Sequence, residues 1–250
     1  PFARGGTDFP LRSKFIDAAD HLSVQVHPDD AYAHTVEAHT GFHGKTEAWY
    51  ILRATPNAEL IHGLACPSNR TAFADAVQNG TVMKIVRRIP TQAGDTVFVP
   101  AGTIHAINAG IMLFEIQQKS DLTYRVYDYD RRDTAGKLRE LHIEQALDVA
   151  NFGAQPPATV PPQQIDDTRT LLIHCEHFTM ERWDVRAPLA ATTGPGSFEI
   201  LTLIDGALTL RWPGGTRALV RGTSVVLPAV LGDYTLAPID TAALLRCYVP

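Results

Sequence analysis

A Gly-x5-Pro frame occurs twice in this sequence, each time inside a β-type run, and an internal repeat of this kind constrains the fold more than composition does. GDTVFVPAGTIHAI (94–107) runs from Gly94 across five residues to Pro100 and reaches His105 five positions later. GTSVVLPAVLGDYTL (222–236) runs from Gly222 to Pro228 and reaches Asp233 at the same offset. EAWYILRA (47–54) lies over EILTLIDG (199–206), with Glu47 opposite Glu199 and Ile51 opposite Leu203. The second copy keeps the frame but has Val230 for Gly102 and Asp233 for His105, so no metal is expected there. Two similar small β-barrels follow, one with a polar constellation and one without.

Short runs rich in Val, Ile, Leu, Thr and aromatics, bounded by Gly, Pro, Asn and Asp, recur along the chain as in a sandwich or barrel. They include LSVQVH (22–27), EAWYIL (47–52), AELIHGL (58–64), DTVFVP (95–100), IMLFEIQQ (111–118), TYRVYDYD (123–130), FEILTLIDG (198–206), ALTLRW (207–212) and ALLRCYV (243–249). Helical periodicity is confined to SNRTAFADAVQNG (68–80), which opens on a capping residue and closes at Gly80, and RELHIEQALDVANF (139–152). Four prolines without apolar periodicity make GAQPPATVPPQQ (153–164) a stiff connector. The expected domains are 1–152, a metal-binding barrel with a helical insertion, a connector at 153–165, and 166–250, a degenerate barrel.

With 250 residues and 45% hydrophobic content the chain can bury a sizeable core. A net charge of −5 gives no basic footprint for a nucleic acid. No apolar run reaches the roughly 20 residues that span a bilayer, and no signal peptide is visible, so the protein reads as soluble and cytoplasmic. Cys66, Cys175 and Cys247 form no Cys-x-x-Cys pair and read as buried free thiols. The Arg-Arg-Asp cluster at 131–133 reads as a solvated turn.

In HLSVQVHPDD (21–30) the strand alternation puts Ser23, Gln25 and His27 on one face and Leu22, Val24 and Val26 on the other. Pro28 ends the strand, so Gln25 and His27 sit near a rim. Glu47 stands at the head of another strand, and His105 follows a Pro-x-Gly turn that Gly102 permits. Two imidazoles, a carboxylate and an amide suit Zn²⁺ and can also hold Fe²⁺, Mn²⁺ or Co²⁺. Three firm ligands and a weak fourth leave a position for water or substrate, as catalytic metal sites do. The other eight histidines, His34, His43 and His62 among them, are left as surface or hydrogen-bonded core residues.

These residues sit in FPLRSKFIDAADHLSVQVHPDD (9–30), GKTEAWYIL (44–52), GDTVFVPAGTIHAI (94–107), FEIQQKSDLTYRVYDYDR (114–131) and GKLRELHIEQALDV (136–149). Together these segments resemble the cupin superfamily, and within it the class I mannose-6-phosphate isomerases in their short bacterial form. The second half resembles that family's C-terminal barrel in architecture only. The resemblance implies a mainly β fold of two cupin-type jelly-roll barrels with a few short helices, and an aldose–ketose isomerase of mannose 6-phosphate and fructose 6-phosphate. It implies one divalent metal ion per chain, usually Zn²⁺, on Gln25, His27, Glu47 and His105.

It further implies that Arg125 is the active-site arginine, that Lys45 lines the substrate pocket, and that Glu115 and Asp121 face the same cavity. Glu115 is a candidate general base, or a carboxylate that orients a ligand or Lys45; Asp121 is a candidate substrate contact. Two departures stand out. The family's Trp-Gly-Gly and Gly-Glu-x-Trp segment before the FPL stretch is absent, so an upstream segment is expected, and Ile107 stands where an aromatic is common. The partner expected is a small phosphorylated sugar; alternatives are a sugar-binding cupin module without turnover and a different cupin metalloenzyme.

Overall fold

The computed structural model describes residues 9–132 and 134–250; residues 1–8 of the first expected domain and Asp133 of the Arg-Arg-Asp turn lie outside them. The described chain forms two units, one of Arg12–Val160 and one of residues 9–11 with Pro161–Pro250. Residues 153–160, expected in the connector, belong to the first unit, where Phe98 N donates to Ala158 O and Val160 N to Thr96 O. Phe9 belongs to the second, stacked on Phe198 with ring centroids 4.3 Å apart.

The first unit holds β1 (Leu11–Ala18), β2 (Val24–Val26), α1 (Asp30–Thr35), β3 (Glu47–Ala54), β4 (Glu59–Leu64), α2 (Arg70–Gln78), β5 (Val86–Pro90), β6 (Thr96–Val99), β7 (His105–Ile107), β8 (Ile111–Gln118), β9 (Tyr124–Tyr127) and α3 (Ile143–Val149). They make a four-stranded sheet, β1-β8-β3-β6, and a five-stranded sheet, β5-β4-β7-β2-β9. One apolar cluster draws on both, with Trp49, Ile51, Val97 and Leu113 from the first sheet and Leu60 and Ile107 from the second. Burial of each such side chain contributes about 1.5–3 kcal/mol, and their contact sets β3 against β7.

Local signals account for the helices. Asn69 caps α2 by accepting from Ala72 N at 2.9 Å, and Phe73 and Ala76 are the buried side. The second expected helix is shorter than 139–152, because its first residues are drawn out to Arg125: His142 N donates to Arg125 O, and Arg125 donates to Glu140 O. Helix α1 lies where only a strand end was expected, nucleated by Asp29, whose carboxylate accepts from Tyr32 N at 2.8 Å.

The second unit holds β10 (Gln163–Gln164), β11 (Arg169–His174), β12 (Thr179–Val185), β13 (Leu189–Thr192), β14 (Glu199–Trp212), β15 (Gly215–Val220), β16 (Ser224–Leu227) and β17 (Asp233–Tyr248). They form one eight-stranded antiparallel sheet. The runs 198–206 and 207–212, expected as two strands, are a single bent one. Register shifts at Leu203/Asp205 and Gly206/Leu208 bend it around a core of Trp183, Leu201, Leu210, Leu236 and Leu244.

The repeat seen in sequence is present in the pairing. Glu47 pairs with Val99 and Gln117, and Glu199 pairs with Leu227 and Tyr248; Val99 and Leu227 each precede the repeat's proline. The chain is mainly β with short helices, as expected, but none of the three sheets closes into a barrel among the described residues. No described helix is long and apolar enough to cross a membrane. All three cysteines are free, yet only Cys247 is buried; Cys66, in the loop after β4, is exposed.

Gly206 has φ 72°, and a Cβ there would lie 2.2 Å from Thr241 O. Gly206→Ala is expected to lower stability by about 1–3 kcal/mol, read as a reduced urea midpoint.

Candidate metal centre

Three of the proposed ligands meet in the first unit. Glu47 projects from β3 of the four-stranded sheet, His105 from β7 of the five-stranded sheet, and His27 from the residue after β2; each is 1% exposed. His105 Nε2 lies 3.3 Å from Glu47 Oε1, and His27 Nε2 lies 3.6 Å from Glu47 Oε2. Gly102, with φ 82°, turns the chain between β6 and β7 and donates its N–H to His27 O at 2.8 Å, so one turn braces both histidine segments.

The opposite side of each ring is tied to the backbone. His27 Nδ1 is 2.8 Å from Leu122 O, and His105 Nδ1 is 2.8 Å from Thr103 O. A carbonyl can only accept, so Nδ1 carries the proton in both and Nε2 presents a lone pair towards Glu47. Burial pushes the His105 imidazole down to about 4, and burial with the nearby Lys45 charge pushes His27 down as well. Both rings are thus neutral near pH 7, the form that ligates metals.

Glu47 Oε2 is buried and accepts no hydrogen bond. Lys45 Nζ stands 3.1 Å from it and 3.0 Å from His27 Nε2, a close charge contact without hydrogen-bonding geometry to the carboxylate. Two imidazole Nε2 atoms and a carboxylate with one oxygen lacking a donor are a set that a divalent ion could take up.

The remaining predicted residues are placed as follows. Gln25 pairs with His105 across β2 and β7, and its Nε2 is 3.3 Å from His105 Nε2. Arg125, half-buried on β9 beside Gln25, donates to Ser23 Oγ at 3.3 Å and Glu140 O at 2.9 Å; Ser23 Oγ in turn donates to Gln25 Oε1 at 3.4 Å. A hydrogen-bonded chain thus runs from Arg125 to His105. Glu115 is buried, but its two oxygens accept from Lys14 Nζ at 2.8 Å and Trp49 Nε1 at 3.1 Å. Asp121 is exposed and paired with Arg12.

Lys14 and Trp49 are the neighbours that sequence reasoning missed. Lys14 also donates to Gln117 Oε1 at 2.5 Å, and the Trp49 ring meets His105 edge-on with centroids 5.5 Å apart. Trp49 was legible as the residue two beyond Glu47 on the same strand face; Lys14 was hidden because strand order, not spacing, brings β1 beside β8. His62 is a core histidine, held between Phe98 O at 2.8 Å and Arg87 at 2.9 Å.

A family profile for the cupin domain of mannose-6-phosphate isomerase matches residues 167–248. Mannose-6-phosphate isomerase ManA of Bacillus subtilis is 38% identical over 233 residues, 92% of this chain and 73% of that protein. The chain belongs to the mannose-6-phosphate isomerase family. A second relative, mannose-6-phosphate isomerase of Streptococcus mutans, is 39% identical over 90% of this chain and 70% of its own length. The crystal structure of the Bacillus subtilis mannose 6-phosphate isomerase superposes with a TM-score of 0.87 at 35% identity, covering 97% of this chain and 76% of that one. The profile falls on the second half, so this family membership is written in the sequence of 167–248 and not in its architecture alone.

That half of the isomerase fold answers the same electrostatic need differently. Glu199, the register counterpart of Glu47, is 1% exposed and accepts from Arg246 at 2.5 Å and Tyr234 OH at 2.8 Å. Arg246 also donates to Glu181 at 3.2 Å. Burial alone would lower the Arg246 guanidinium, but the bond to Glu199 and the two carboxylate charges hold it above its ordinary range. The partner that meets Glu199 is Tyr234, not Asp233: one residue along a strand reverses the face, and Asp233 is exposed, accepting from Thr192. Arg246 and Tyr234 thus stand beside Glu199 where Glu47 has Lys45 and two imidazoles. Arg246→Met is expected to destabilise the chain by about 3–5 kcal/mol in urea unfolding, since it leaves two buried carboxylates without a cation, and adding Glu199→Gln should recover part of the loss.

Proposed function

We propose that this chain interconverts mannose 6-phosphate and fructose 6-phosphate, moving a proton between C1 and C2 through an enediol(ate), with one divalent ion, Zn²⁺ foremost, at His27, Glu47 and His105. The convergence of two imidazole Nε2 atoms on the buried Glu47 carboxylate, one oxygen of which lacks a donor, carries the reading, in a chain 38% identical to a named isomerase. Gln25 supplies a weaker fourth ligand; a half-turn of its amide exchanges Nε2 for Oε1 beside His105. A bound divalent ion supplies Lewis acidity at the sugar oxygens, where negative charge develops.

The chain's own residues hold and orient. Leu122 O and Thr103 O fix the two rings, and Arg125 steadies Gln25 through Ser23 while offering positive charge to an anionic sugar. Lys45, within 3.1 Å of Glu47, offers a second positive charge. Glu115 is assigned here to positioning Lys14 and Trp49, since each of its oxygens already has a donor, and Asp121 to its pair with Arg12 rather than to the substrate. We read both units as cupin-type jelly rolls, only the first of them metal-binding. A cytoplasmic setting accords with three free cysteines.

Purified protein should form fructose 6-phosphate from mannose 6-phosphate, lose that turnover on chelation and regain it with Zn²⁺; no turnover in a Zn²⁺-loaded sample ends the isomerase reading. His105→Ala should abolish the ion at His27, Glu47 and His105, read by elemental analysis, together with turnover. Arg125→Ala should retain that ion and lower kcat/KM by about 10²-fold or more, whereas unchanged kinetics would make Arg125 structural only.

A further inference from the structure

His34 and His43, left among ordinary histidines by sequence reasoning, lie together on the outer side of the first unit. His34 Nε2 and His43 Nδ1 are 3.0 Å apart, with ring planes at 77°. A carboxylate oxygen of Asp30 completes three ligand atoms that all lie within 4.8 Å of one another. Asp30 and His34 are four residues apart on α1 and so share a face. His43 comes from the loop before β3.

The cluster is braced from behind. Asp30 Oδ1 accepts from Gly44 N at 2.7 Å and from Gln118 Nε2 at 3.0 Å, which orients the carboxylate. Ser120 Oγ donates to His43 O at 2.7 Å, which fixes the backbone carrying that ring. Two imidazole nitrogens on one tetrahedral zinc, each at roughly 2.0–2.1 Å, are about 3.3 Å apart. The observed 3.0 Å is therefore close to a liganding separation. In the metal-free molecule the same contact is a hydrogen bond between the two rings.

We propose that Asp30, His34 and His43 form a second divalent-metal site, distinct from His27, Glu47 and His105. Two imidazoles and one carboxylate select a borderline ion of the Zn²⁺, Co²⁺ or Ni²⁺ class over Ca²⁺ or Mg²⁺. His34 is exposed and the other two residues half-buried, so water fills the remaining positions. An ion here ties α1 to the 41–45 loop, reinforcing the bond from Lys45 N to Pro28 O at 2.9 Å. His27 lies three residues before the first of these segments and Lys45 ends the second, so the outer ion stiffens the frame that holds His27 and Lys45.

The test is calorimetric titration of Zn²⁺ into the full chain already loaded with one equivalent of Zn²⁺. Wild type should take up a second equivalent and gain thermal stability as it does so. His34→Ala and His43→Ala should each bind that second ion at least about tenfold more weakly, with turnover in the singly loaded protein unchanged. Starting from the metal-free state, His105→Ala should still bind one ion, which separates failure of the inner site from failure of the outer one. Uptake by His34→Ala and His43→Ala equal to wild type, or no second equivalent in wild type, would overturn the proposal.

Discussion

A carboxylate buried between two sheets has to find a positive partner, and the first unit is organised around that requirement at Glu47. Leaving an ionised carboxylate unpaired in a low-dielectric interior costs several kcal/mol. Glu47 is 1% exposed, and one of its oxygens accepts no hydrogen bond. The groups around it are the Lys45 ammonium and two imidazole nitrogens. Glu199, at the matching register position, is completed from within by Arg246 and Tyr234. The two halves therefore pose one electrostatic problem and differ in the groups that surround the carboxylate, Lys45 with two imidazoles in one and Arg246 with a tyrosine hydroxyl in the other.

Strand geometry makes the ligand set specific. Glu47 is carried by one sheet and His105 by the other, so the cluster forms only when the apolar cluster of Trp49, Ile51, Leu60 and Ile107 holds the sheets together. Backbone carbonyls of Leu122 and Thr103 then remove the choice of tautomer, and burial keeps both rings neutral. Trp49 contributes to both tasks, filling the core and standing edge-on to His105. The geometry of the candidate site and fold stability thus rest on the same few side chains.

Much of this was visible in the one-dimensional pattern. Alternation in HLSVQVHPDD put Gln25 and His27 on one face, and the Gly-x5-Pro frame located His105 and paired Glu47 with Glu199, because a period of two and a tight turn are local properties. Pro28 was read as the end of a strand, and the helix that Asp29 caps just after it was missed, because six residues are too few for a periodic signal. Asp233 was set opposite His105 by counting, and the count failed by one residue, enough to turn the side chain to solvent and bring Tyr234 to Glu199. Glu115 and Asp121 were placed in one cavity by the family resemblance, whereas Lys14 and Arg12, both on β1, engage them.

The sequence by itself determined the β-rich class, the internal repeat and the three residues with metal-binding chemistry, since these depend on residue type and on spacing along a strand. The tertiary structure decided which atoms meet. Sheet order brought β1 beside β8 and so gave Glu115 to Lys14, and β17 beside β14 and so gave Glu199 to Arg246. Packing of α1 against the 41–45 loop brought His34 to His43. Contacts between segments far apart along the chain follow from which strands become neighbours, and that depends on how all the apolar faces are buried together rather than on any local pattern.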